Sequence, residues 1–149
     1  MRRVSPDGQH LSRDGGGMLW RRVALALAAL PLAAFFAFVG WYKAFASMAS
    51  LAAYHAWTVW LPLPLGRAVG WSELACAILL LGVVNRHLIP FVRASALVLI
   101  VNQLVAAVVH AVHDEVAALP QNIVLIAMLA VVAWLAQSFG GRSRGSADR

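Results

Sequence analysis

The chain is short of charge, and the charge it has is unevenly divided. Only 12% of its 149 residues are Asp, Glu, Lys or Arg, about half the roughly 25% of a soluble domain. Six acidic residues face 12 basic ones. There is one cysteine, Cys76, so neither an intramolecular disulfide nor a CxxC redox pair can form. No haem or flavin motif and no repeat at a solenoid period is visible. Basic residues do not alternate with aromatics, as a single-strand binder would need, so nucleic acid is not an expected partner.

Apolar residues are abundant instead, at 62% of the chain, with a mean hydropathy of +0.77. A 16 kDa soluble protein has too little interior to hide that much apolar surface. Lipid must cover the rest. The expected fold class is all-α, an integral membrane four-helix bundle with a short apolar extracytoplasmic segment between helices 1 and 2.

Residues 1–22 are polar, basic and glycine-rich (Gly15-Gly16-Gly17) and are expected to form a disordered cytoplasmic tail. The membrane domain is expected over 23–139, followed by a second basic tail over 140–149. Val23 to Tyr42 carries no charge, and 20 helical residues reach across about 30 Å of hydrocarbon. Pro31 is expected to kink this span. Trp41, Tyr42 and Lys43 close it as interface anchors. A cleaved leader ending near Ala44-Phe45-Ala46 is the alternative, but the apolar run exceeds the usual 7–15 residues or so of such a leader. Further spans are expected near 66–84, 91–112 and 121–139. Pro62 and Pro64 argue against another full span over 44–65, which reads as an interfacial, re-entrant or capping segment. Its Trp57 and Trp60 read as headgroup-level anchors.

Arginine placement sets the orientation. With the N-terminus inside, ten basic residues fall on the cytoplasmic side, among them Arg21, Arg22, Arg86, Arg93 and Arg142. Only Lys43 and Arg67 fall outside. Both termini are therefore expected in the cytoplasm.

That topology gathers polar residues at the outer half of the bundle. The candidate ligand-binding cluster is Lys43, His55, Glu73, His110, His113, Asp114 and Asn122. An ionised carboxylate within a span costs about 2.5–3.5 kcal/mol on insertion scales, so Glu73 needs a partner. Lys43 is the natural one and the histidines are the alternative. His110, His113 and Asp114 stand at i, i+3 and i+4, a spacing that suits metal ligands. The motif is short and lacks a matching second helix, so no metal is expected. Asn102 and Gln103 lie nearer mid-span, where amides bond across helices. Cys76 reads as a small buried hydrophobe, and Gly66 with Gly70 as a GxxxG helix contact.

The same residues carry a family resemblance. Gly40-Trp41-Tyr42-Lys43 resembles the Gly-x-x-Lys element of the DoxX-like membrane proteins, and Gly70-Trp71-Ser72-Glu73 their Gly-x-x-Glu element. The helix ending in His110 and the Leu119-Pro120-Gln121-Asn122 run fit the same pattern, so the resemblance covers roughly Ala34 to Ala136. It implies a four-span bundle in the bacterial cytoplasmic membrane. It implies function less directly, since some relatives are linked to quinone-coupled sulfur oxidation or redox-stress complexes. A quinone as ligand, lipids and the subunits of a redox complex as partners, and homo-oligomerisation are expectations of that kind. The missing CxxC separates the chain from four-helix thiol-disulfide enzymes of the membrane.

The expected function is thus a small accessory subunit that binds a lipid-soluble or quinone-like molecule at the outer cluster. The alternatives are a membrane oxidoreductase in its own right, for which no carrier motif is visible, and a scaffold in which the cluster only fixes packing. Transport ranks lowest, because four helices make too small a pore.

Overall fold

The computed structural model of the protein describes residues Leu11–Gly140, with no strand among them. Five α-helices occur: α1 (Leu11–Phe45), α2 (Met48–Ala53), α3 (Leu63–Leu80), α4 (Ile89–Val112) and α5 (Leu119–Gly140). Short 3₁₀ turns at Trp57–Trp60, Leu81–Val84, Arg86–Leu88 and Val116–Ala118 link them. Four helical stretches are long and apolar enough to cross a membrane: Gly16–Phe45, Leu63–Val84, Arg86–Val112 and Val116–Phe139. No more than 33% of any of these apolar windows is buried within the protein. Large side chains such as Leu27, Phe38, Ile78, Val101 and Trp134 point outward. Helices apolar on every face need lipid around them.

The spanning helices form a closed ring in which α1 packs on α3, α3 on α4, α4 on α5 and α5 on α1. Short connections make sequential spans antiparallel, so an even number of spans returns the chain to its starting side. One end of the ring therefore carries the start of α1, the α3–α4 turn and the end of α5. The other carries α2, the Trp57–Trp60 turn and the α4–α5 connection, and is called here the loop end.

Several boundaries depart from the sequence reading. Residues 11–22, expected in the disordered tail, continue α1. Once a span is nucleated, each added residue gains a hydrogen bond, and even glycine costs only about 1 kcal/mol. Nothing packs near where a side chain would sit on Gly16 or Gly17, so helix propagation rather than tertiary contact extends the segment. The remaining parts of the two expected tails, 1–10 and 141–149, lie outside the described residues. Pro31 sits inside α1 without ending it. Pro62 and Pro64 fall at the N-cap and second residue of α3, where a missing N–H breaks no helical bond. The second span accordingly begins at Leu63, three residues before the expected Gly66. Segment 44–65 is a cap rather than a re-entrant span. Ser47 caps α2 by accepting from the Ser50 N–H at 3.1 Å, and buried Leu51, Trp57 and Thr58 press the cap onto the bundle.

Candidate functional site

Two glycines bring the site together. A Cβ on Gly40 would sit 2.9 Å from the Gly70 carbonyl oxygen, and one on Gly70 only 2.6 Å from the Ala44 nitrogen. No real side chain tolerates such distances, so α1 and α3 cross in backbone contact because both positions are glycine. Three residues further along each helix, on the same face, come Lys43 and Glu73. Their Nζ and Oε1 lie 2.6 Å apart, with the side chains 5% and 0% exposed. The Gly-x-x-Lys and Gly-x-x-Glu elements are therefore one device: the glycines set the approach and the charges meet one turn later. Gly66 also serves packing within the chain, its α-carbon facing the Thr58 carbonyl of the cap.

The carboxylate is tied to a third helix. Asn102 on α4 donates to the same Oε1 at 2.7 Å, while Glu73 Oε2 has no partner. On its other side, Lys43 Nζ lies 5.3 Å from the centre of the Trp57 ring, a favourable site for a cation. Arg67 donates to the carbonyls of Lys43 at 2.7 Å and Ala46 at 2.6 Å. It thereby satisfies orphan carbonyls at the end of α1 and places a cation at the negative end of its dipole.

Between α1, α4, α5 and the cap lies a cavity of about 710 Å³, within the usual size range for small-molecule sites. Its apolar wall includes Phe35, Phe38, Val39 and Leu125. Its polar wall includes Lys43, His55, Trp57, Gln103, His110, Asp114, Glu115 and Asn122. Trp57 Nε1 and Asn122 Nδ2 are buried donors without a hydrogen-bond partner, and their residues are only 4% and 5% exposed. An unpaired buried donor costs about 1–3 kcal/mol.

The loops close the rim. His110 Nδ1 lies 2.7 Å from Glu115 Oε2, and His55 Nδ1 lies 3.7 Å from Glu115 Oε1. Burial alone would push the Glu115 carboxyl up. The hydrogen bond and charge of His110, with help from Trp60 and His55, outweigh it and hold the group below the usual carboxylate range. The Trp60 ring stacks on His113 at 3.9 Å. His55 and Asp114 adopt left-handed backbone conformations, with φ of 53° and 59°. Such strain in non-glycine residues persists only where surroundings enforce it, and it concentrates at functional sites.

Five of the seven sequence candidates, Lys43, His55, His110, Asp114 and Asn122, line the cavity. Glu73 does not; it lies behind Lys43 as that cation's partner. His113 does not either. The i, i+3, i+4 reading of His110, His113 and Asp114 fails because α4 ends at Val112 and Asp114 turns left-handed. His113 Nδ1 instead meets the Val109 carbonyl at 2.9 Å. Among the described residues, no group of three His, Cys, Asp or Glu could hold a metal ion. Trp57 and Glu115 have the opposite history. Trp57 reads from the sequence as an interface anchor and Glu115 is absent from the candidate cluster, yet both are cavity wall.

Fold and site define a small multi-pass helical membrane protein with a polar-lined cavity at one end of its bundle. The chain belongs to the DoxX-like family, whose model matches residues 26–132. The match spans both glycine elements, α4 and the polar start of α5. No curated protein and no solved structure matches the chain.

Proposed function

We propose that this protein is an accessory subunit of the bacterial inner membrane, with both termini cytoplasmic, that binds a lipid-soluble, quinone-like molecule in the loop-end cavity. The observation that carries the reading is the pair of unpartnered buried donors, Trp57 Nε1 and Asn122 Nδ2, on two residues of the cavity's polar wall, opposite the apolar wall of Phe35, Phe38, Val39 and Leu125. Buried donors of this kind are normally satisfied. A ligand carbonyl supplies the missing acceptor, and the apolar wall accepts a ring or chain. The ten-to-two division of basic residues orients the loop end to the periplasm, which puts the cavity in the outer leaflet. Partner subunits of a redox complex fit the absence of a visible electron carrier motif in this sequence.

In this reading Lys43, His55, His110, Asp114 and Asn122 face the ligand, with Trp57 added to them. Glu73 positions Lys43, which makes the buried pair a scaffold element. The test is a photoaffinity quinone in proteoliposomes. Labelling of wild type should be competed by unlabelled quinone and fall about three- to tenfold in Trp57→Phe and Asn122→Leu, the worth of about 1 kcal/mol per bond. Equal labelling of all three proteins would remove the proposal. Reporter fusions at Asn85 and near the C-terminus test the orientation, and a periplasmic signal from either would reverse it.

A further inference from the structure

The rim of the cavity holds a graded series of proton-carrying groups. His110 is 7% exposed, Glu115 20% and His55 79%. They come from three separate elements: the last turn of α4, the α4–α5 connection and the cap. Glu115 Oε2 is hydrogen-bonded to His110 Nδ1 at 2.7 Å, while Oε1 lies 3.7 Å from His55 Nδ1, within ion-pair range but beyond a direct hydrogen bond. The carboxylate accepts from His110 Nδ1–H, which leaves Nε2 as the acceptor of the neutral ring. His110 lines the cavity, so the free nitrogen is available to a molecule there. The other titratable groups on the wall are Tyr42, Tyr54, Asp114 and Lys43. Lys43 is occupied by Glu73, and no hydrogen bond joins Asp114 to the His110–Glu115 pair.

We propose that His110 and Glu115 form a carboxylate–imidazole dyad that exchanges a proton with a hydroxyl of the bound molecule, with His55 as the outlet to water. This rests on the cavity being a ligand site, and it narrows the ligand to one with a phenol-type or enol-type hydroxyl. The ligand O–H bond breaks and an N–H bond forms at His110 Nε2. Glu115 stabilises the resulting imidazolium through Oε2. The Nδ1 proton then passes to Glu115 Oε2. Once the carboxyl group rotates, that O–H bond breaks and the proton crosses a bridging water to His55 and the aqueous phase. This leaves Glu115 ionised and His110 neutral with its proton on Nε2. No electron moves in this step, and the outgoing proton balances the ligand oxyanion. A positioned imidazole accelerates proton transfer about 10²–10⁴-fold. His55 itself and Asp114, the neighbour of Glu115 in the chain, hold left-handed backbone conformations.

The test uses 2-naphthol, a fluorescent phenol that becomes a strong acid on excitation, with the full chain in proteoliposomes. Saturable quenching reports binding, and the ratio of naphtholate to naphthol emission reports proton transfer. Wild type should bind and transfer. Glu115→Gln, which leaves the ligand-facing residues in place, should bind within about threefold of wild type while transfer falls about tenfold or more, and His110→Gln should lose transfer per bound naphthol at least as far. His55→Asn, at an exposed position, should keep the initial transfer and slow the recovery of naphthol absorbance after a flash. A wild-type emission ratio in Glu115→Gln with binding intact, or a wild-type ratio per bound naphthol in His110→Gln, overturns the relay and leaves the cavity reading standing. No saturable binding by wild type overturns both. Thermal melts of each variant separate these outcomes from misfolding, and a variant that unfolds is replaced by Glu115→Asn read on the same ratio.

Discussion

The two ends of the bundle solve the same packing problem with different materials. Toward the termini the core is dry and aliphatic, built from Leu25, Ala29, Leu80 and Val92, each at most 1% exposed. From the middle to the loop end it contains Lys43, Thr58, Glu73, Gln103, His110 and Asn122, all at most 5% exposed. The dry end is a set of near-independent contacts, held by close packing within lipid. The polar end holds two short hydrogen-bonded sets, Lys43–Glu73–Asn102 and His110–Glu115, and leaves Trp57 Nε1, Thr58 Oγ1, Glu73 Oε2 and Asn122 Nδ2 without a partner. That contrast separates a region of close aliphatic packing from one that keeps buried polar groups unsatisfied, which is where the proposed site lies.

The contrast can be broken most severely at Lys43. Lys43→Met strands a fully buried carboxylate, so the protein should lose about 3–5 kcal/mol, the cost of leaving a buried charge uncompensated. The double variant Lys43→Met, Glu73→Leu should recover most of it. Reversible unfolding in detergent measures both, and a double variant no more stable than the single one would deny that the pair is coupled.

At the dry end, Leu80→Ala should cost about 2–3 kcal/mol through loss of contacts and a residual cavity. No second-site change should rescue it, since no polar partner is left stranded. Rescue by a distant polar substitution would erase the distinction between the two ends. Gly70→Ala lies between these cases, at about 1–3 kcal/mol from overpacking of α1 on α3. It should also disturb the Lys43–Glu73 distance, visible as a loss of additivity with Lys43→Met.

Trp57→Phe is expected to change stability by no more than about 1 kcal/mol, because it deletes a donor that is already unsatisfied. A large loss would mean that Trp57 Nε1–H has a partner in the resting protein.

The smallest effect is the pH dependence of the rim. Glu115 has a folded pKa below its unfolded value of about 4.3. It thus contributes stability that is present above that value and lost as pH falls through the folded one. Melting temperatures of wild type and Glu115→Gln should converge on acidification below about pH 4. Parallel curves down to pH 3 or so would remove the His110–Glu115 bond as a contributor.

Much of this was legible along the chain. Apolar runs announced the four spans, and a carboxylate inside one of them demanded a cation, which Lys43 supplied. The glycine three residues before each charge was visible too, but its purpose was not, since a close approach is a property of two helices. Helix ends were less legible. Nothing in residues 11–22 stops a helix already nucleated downstream. Nothing in His110 to Asp114 shows that α4 stops at Val112 and turns the expected ligand face aside. Trp57 was the hardest case. Its signal was its place in a proline-bounded segment that could not span, yet Trp60 in the same segment is 50% exposed.

By itself the amino-acid order determined that this protein crosses a membrane, how many times, and which residues would be costly to leave unpaired. These follow from the length of apolar runs and the transfer cost of single side chains, both local quantities. Only the tertiary structure decided that Lys43 meets Glu73 across 30 positions. It also decided that His110 and His55 converge on Glu115, and that Trp57 and Asn122, each with a buried unpartnered donor, stand on one cavity wall. Those outcomes depend on where separate helices cross and where loops close, and such distances exist only once the bundle is assembled.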